Sequence, residues 1–173
     1  MRHVISVLLQ NEVGALTRMT GLFSTRGYNI DTLNVAPTQE ATVSRVTLVV
    51  SGSDEAIAQL NAQLAKLVDV VSIHDMTLGE LFERELVIVK LKLRGDEVEK
   101  AGALASQFGA EVLDSAVDSF TMQLTGAQEQ VDSFVRSAMT TGTIAAVARS
   151  GSVAVSQGEV LLSSYVRHHR LSG

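Results

Sequence analysis

The stretch Asn11-Glu12-Val13-Gly14-Ala15-Leu16 joins an apolar run to the start of an amphipathic one, with an amide side chain and a glycine at the bend. Such a junction can hold a small carboxylate. The first backbone N–H groups of a helix lack intrahelical partners and carry the positive end of its dipole, and a glycine lets a ligand approach them closely. Glycine at a tight turn also simply relieves crowding, and Asn11 serves a helix cap or an Asx-turn as readily as a ligand. Asn29, after the Gly27 bend, offers a second amide whose ordinary role is turn formation. Ile30 and Val35 offer apolar contacts suited to a branched side chain, although core or interface packing is the commoner use of such residues.

Catalytic chemistry finds little support. His3, His74 and the adjacent His168-His169 lack metal-ligand spacing with carboxylates. There is no Gly-x-Ser-x-Gly elbow, no phosphate loop, no Gly-x-Gly-x-x-Gly and no His-Glu-x-x-His. A small phosphatase would need a phosphate cradle with a supporting arginine. The Asn11 loop shows none beside it, and Glu12 opposes phosphate. Gly95-Asp96-Glu97 is read as a turn and cap, not a metal site. Lys90, Lys92 and Arg94 set positive charge along one strand, either as a solvated sheet face or against an acidic protein surface.

Composition narrows the class further. With 173 residues, 46% of them hydrophobic, the chain can bury one core or two small ones. Its longest apolar runs fall far short of the roughly 20 residues that span a bilayer, and no secretory signal is read at Met1, so a cytoplasmic location is expected. Zero cysteines exclude disulfides, thiolate metal sites and cysteine nucleophiles. A net charge of −5 and 4% aromatics oppose nucleic-acid binding.

The elements that must position these residues follow from periodicity. A strand is predicted at His3 to Leu9, then a helix from about Gly14 to Arg26 with Leu16, Met19 and Phe23 on its buried face and Gly27 as its stop. Strands at Tyr28 to Ala36 and Val43 to Val50 flank a hairpin at Thr38-Gln39-Glu40. Ser53-Asp54-Glu55 caps a helix carrying Ile57, Leu60, Leu64 and Leu67, and a strand follows at about Val68 to Met76. The order βαββαβ then repeats. Val87, Val89, Leu91 and Leu93 alternate with Lys90 and Lys92; Asp96 and Glu99 form a capping-box pair for a helix through Phe108. Two strands, a helix from about Ala127 and a last strand near Ile144 to Arg149 complete the second copy. The predicted fold is α+β: two ferredoxin-like βαββαβ domains, residues 1–78 and 79–158, joined near Thr77 to Arg84, with a tail over 159–173. Sheet edges and faces left open by this design predict self-association, one chain's helix-start loop lying near the second strand of its neighbour.

Several strings, taken in order, resemble the ACT-domain small regulatory subunits of acetolactate synthase. They are Ser6 to Leu16, Arg26-Gly27-Tyr28-Asn29-Ile30 followed by Leu33, Arg84-Glu85-Leu86, and Arg149-Ser150-Gly151. The resemblance covers about residues 2 to 158. It implies an ACT domain in the first copy and a noncatalytic subunit that activates a separate large catalytic subunit and confers feedback inhibition by valine or a related branched-chain amino acid. It further implies an effector held between two chains of a homodimer, with Asn11, Val13, Gly14, Ala15 and Leu16 from one and Asn29, Ile30 and Val35 completing the wall. Thiamine diphosphate, magnesium and FAD would belong to the large subunit. The segment Val160 to Gly173 extends past the matching pattern as a disordered or partner-touching tail. The alternative is a free-standing ACT-type sensor acting on another enzyme or a transcription factor.

Overall fold

The computed structural model describes residues 1–95 and 97–158. Its elements are β1 (Arg2–Gln10), α1 (Ala15–Thr25), β2 (Ile30–Pro37), β3 (Val43–Ser51), α2 (Asp54–Leu64), β4 (Val70–Asp75), β5 (Leu81–Lys92), α3 (Glu97–Phe108), β6 (Glu111–Ser115), β7 (Ser119–Gly126), α4 (Gln128–Thr141), β8 (Thr143–Arg149) and β9 (Val153–Ser156). The βαββαβ order occurs twice, and each copy builds an antiparallel sheet.

In the first unit the strands lie in the order β2-β3-β1-β4. Alternation along β1 and β3 sends Ile5, Val7, Leu9, Val46, Leu48 and Val50 to one face, where α1 and α2 cover them. From α1 the core takes Ala15, Met19 and Phe23, spaced four residues apart along one stripe. Burial of a side chain such as Phe23 contributes about 2–3 kcal/mol. Leu16, expected on that stripe, is instead 37% exposed. The helix begins at Ala15, so Ala15 occupies the core row and its neighbour is turned about 100° away from it. From α2 the core takes Ile57, Leu60 and Leu64. Ser53 caps that helix, its Oγ accepting from the Ala56 N–H at 3.3 Å. Gly27, with φ 73°, closes α1 in the left-handed conformation expected of it.

The opposite face of this sheet carries Val4 and Val49, which pack with Met76, Ala154 and the partly buried Leu81. Ala154 comes from β9, which pairs with β5. Among the described residues the compact units are therefore Met1–Phe82 with 153–158, and Glu83–Ser152. The expected 79–158 domain differs in assigning Val153–Ser156 to the second copy. Val4 and Val49 face away from the helices, and the returning strand is what removes them from water. The start of β5 also takes up part of the stretch read as a linker.

In the second unit the order is β6-β7-β5-β8. Val87, Val89, Leu91 and Leu93 meet Phe120, Met122 and Leu124 beneath α3 and α4, which add Leu104, Val131 and Phe134. Phe108 and Phe134 meet edge-on with ring centroids 5.4 Å apart. Asp96 of the expected capping pair lies outside the described residues, as does the tail expectation beyond residue 158. At the start of α3, Glu97 accepts from the Arg94 N–H at 2.6 Å. Among the described residues no helix is long and apolar enough to cross a membrane.

Candidate functional site

Three loops of the first unit meet where β1 ends. The Asn11 N–H donates to the Thr42 carbonyl at 2.8 Å and Asn11 Nδ2 to the Ala41 carbonyl at 2.9 Å, tying the helix-start loop to the β2–β3 hairpin. The Gln10 N–H donates to the Asp69 carbonyl at 2.8 Å, bringing in the loop before β4. Gly14 is the N-cap of α1, at φ 85° and ψ −12°, and supplies no side-chain cap. An uncapped helix start of this kind leaves first-turn N–H donors to other partners. Val13 is almost fully exposed beside it, and Leu16 is the next exposed apolar side chain. Ala15 is placed differently from the rest: its side chain is in the core and its N–H donates to the Glu12 carbonyl at 3.2 Å.

Arg18 is the residue that sequence reasoning missed. Its N–H donates to the Gly14 carbonyl at 2.9 Å, one helical turn on. Its Nε and Nη2 donate to the two carboxylate oxygens of Asp69, at 2.6 and 2.8 Å. The third nitrogen, Nη1, turns toward Gly14, so close that a Cβ added there would lie 2.7 Å from it. The loop thus has an arginine beside it after all. The i, i+4 spacing from Gly14 to Arg18 was the legible signal, whereas Asp69 is 51 residues away in the chain. The guanidinium holds the Asp69 carboxyl below the ordinary carboxylate range, and hydrogen bonding to Asp69 raises Arg18 in turn, with Glu12 adding a smaller electrostatic contribution.

Asn29 and Ile30 are not part of this cluster within one chain. Strand pairing sets Ile30 opposite Val50, and Val50 opposite His3, at the start of β1. Pro37 pairs with Ser44 and Ser44 with Leu9, at the end of β1. Asn29 therefore lies about 23 Å from the Gly14 end of the sheet, at roughly 3.3 Å per strand residue. Its Nδ2 donates to Asp31 Oδ1 at 3.1 Å, while Ile30 packs at the margin of the core. Val35, half-exposed on the edge strand, sits nearer the Gly14 end, opposite Val46.

Among the described residues no three His, Cys, Asp or Glu side chains are placed to hold a metal ion. His3 is buried between two carboxylates, with Nδ1 3.1 Å from Asp75 and Nε2 3.3 Å from Asp54.

Residues 5–72 match the model of the acetohydroxyacid synthase small-subunit-like ACT domain, and residues 84–158 that of the small subunit of acetolactate synthase. Over 159 residues the chain is 41% identical to the acetolactate synthase small subunit of Haemophilus influenzae, covering 92% of this chain and 98% of that one. The chain belongs to the acetolactate synthase small-subunit family. It is also 41% identical over 165 residues to the isozyme 3 small subunit of Escherichia coli, covering 94% and 99% of the two chains. The crystal structure of the small subunit from Thermotoga maritima superposes with a TM-score of 0.83 at 27% identity, over 92% of this chain and 99% of that one. Membership explains why Arg84-Glu85-Leu86 and Arg149-Ser150-Gly151 are informative together. The two strings are one structural feature, since the Ser150 N–H donates to the Leu86 carbonyl at 2.9 Å and Ser150 Oγ accepts from the Leu86 N–H at 3.0 Å.

Proposed function

We propose that this chain is the regulatory subunit of an acetolactate synthase, that it activates the large catalytic subunit, and that it carries feedback inhibition by valine at a site shared between two copies. The observation that supports the shared site is the separation of Asn29 and Ile30 from Gly14 along the sheet. Among the described residues β2 pairs only with β3, which leaves its outer edge for a second strand. Antiparallel pairing of two β2 edges carries Asn29 and Ile30 of the second copy to the Gly14 end of the first. There the uncapped start of α1 offers donors to a carboxylate, Asn11 and the second copy's Asn29 flank the amino group, and Leu16, Val35 and the second copy's Ile30 line the branched side chain. The catalytic cofactors, thiamine diphosphate, magnesium and FAD, belong to the large subunit.

Inhibition requires the effector to bind two regulatory states unequally. A ligand clasped by two chains meets that requirement, because it favours the relative orientation in which both walls reach it. The test is to mix the purified chain with its cognate large subunit and follow acetolactate formation from pyruvate with and without valine. The chain alone is expected to be inactive, the mixture faster than the large subunit alone, and the stimulated rate to fall with valine. A mixture with neither stimulation nor valine sensitivity overturns the proposal.

A further inference from the structure

Resting on that reading, we infer that Arg18 is the charge that receives the effector's carboxylate, and that Asp69 is the positioning residue that aims it. Two nitrogens, Nε and Nη2, are committed to the two oxygens of Asp69 at 2.6 and 2.8 Å, which fixes the plane of the guanidinium. The remaining nitrogen, Nη1, is set over the Gly14 backbone. Asp69 is 4% exposed and Arg18 50% exposed at the side chain, so the pair has a buried anchor and an open arm.

The open arm stands at the mouth of the α1 start, where the helix gives no side-chain cap of its own. A carboxylate there meets backbone donors from one side and Nη1 from the other. Glu12 is the competing anion: it acts electrostatically on Arg18 in the same loop, and a bound carboxylate takes over that role at shorter range. Gly14 gains a second explanation. Any side chain at this position pushes against Nη1, so the glycine keeps the arm in place as well as leaving room for a ligand. Lysine cannot replace Arg18, because a single ammonium has no rigid fork with which to hold Asp69 and still face Gly14.

The test removes the carboxylate from the ligand and the guanidinium from the protein separately and together. Calorimetry on the full chain measures L-valine and L-valinamide against the wild type, Arg18→Gln, Arg18→Lys and Asp69→Asn, with thermal melts reporting folding. The wild type is expected to prefer valine over valinamide by about 10- to 100-fold, the range of one charge-assisted hydrogen bond. Arg18→Gln is expected to lose most of the preference, the backbone donors of the α1 start retaining the remainder, and the Lys and Asn variants to lose much of it as well. A structural role alone would weaken both ligands and leave their ratio unchanged, and that outcome overturns the inference while leaving the shared effector site intact. If Arg18→Gln does not fold, the ratio in Asp69→Asn and Arg18→Lys decides. Absence of valine binding to the wild type overturns the effector reading itself, and this inference with it.

Discussion

Arg149 grips Glu85 with both arms of a fork, Nε to Oε1 at 2.8 Å and Nη2 to Oε2 at 2.7 Å, across 64 residues of chain. The third nitrogen, Nη1, reaches Asp132 on α4 at 2.8 Å. One side chain thereby joins β5, β8 and α4, and its attachment to Glu85 and Asp132 raises it further above its already high ordinary pKa. Glu85 is 2% exposed, so it depends on this partner for compensation of its charge.

Removing the arginine should therefore cost more than an ordinary surface ion pair. Arg149→Met leaves Glu85 buried and unpaired, and is expected to destabilise the second unit by about 2–3 kcal/mol, below the roughly 3–5 kcal/mol for breaking a fully buried pair because Arg149 itself is partly exposed. Chemical denaturation of the variant against the wild type measures it. Replacing Glu85 and Arg149 together should cost less than the two single changes summed.

The Arg18–Asp69 pair predicts a dependence on acid. The Asp69 carboxyl is held down by hydrogen bonding to Arg18, so its folded pKa lies below its unfolded one. At intermediate pH the unfolded chain takes the proton and the folded chain does not, so acid favours unfolding. The contribution is present above the unfolded carboxylate value of about 3.9 and is lost as pH falls through the lowered folded value. Melting curves of wild type and Asp69→Asn taken from about pH 7 to about pH 3 should converge at the acid end. A gap that widens with acid contradicts the assignment.

Gly14 carries two loads that separate experimentally. At φ 85° an L side chain is strained, and its Cβ would press on Arg18. Gly14→Ala is expected to cost about 1 kcal/mol in a thermal melt. Gly14→Asp adds a negative charge that attracts Arg18 and repels the ligand carboxylate, so calorimetry should show valine affinity falling by much more than in Gly14→Ala. Equal valine affinity in the two variants would remove charge from the explanation.

Val35 lies on the open edge of β2 and is 39% exposed. Val35→Lys is expected to leave the melt within about 0.5 kcal/mol of wild type, as for surface changes generally, while like charges meeting across paired β2 edges weaken association. Sedimentation should show a shift toward single chains, and valine binding should fall with it. A variant that remains associated and binds valine normally would move the shared wall away from β2.

Much of this architecture was legible because its signals are local. Period-two apolar runs, the Ser53 cap and the Gly27 stop each act within a few residues, and both copies of βαββαβ followed from such signals. Met19 and Phe23 lie in the core as expected, and Leu16 does not, because Ala15, small and unremarkable in the sequence, is the residue four positions before Met19 and takes the first place in their row. β9 was not read as a strand: of its four residues, Val153–Ser156, Ala154 alone is buried, and it packs with Val4, Val49 and Met76, far back in the chain. Arg18 stands one helical turn from Gly14 in the sequence, but the direction of its fork comes from Asp69, which no nearby residue specifies. Asn11, Gly14 and Asn29 were found as candidates, but their distribution over opposite ends of one sheet is a property of strand register.

That register has a genetic signature. If each site draws its helix start from one chain and its Asn29 wall from the other, a chain altered at Gly14 and a chain altered at Asn29 are each deaf to valine when alone. Mixed, they form hybrids in which one site combines both lesions and the other has neither. Half of the binding capacity of every hybrid is then restored by joining two inactive parents, and the sensor behaves as an intersubunit complementation system whose response vanishes on dilution.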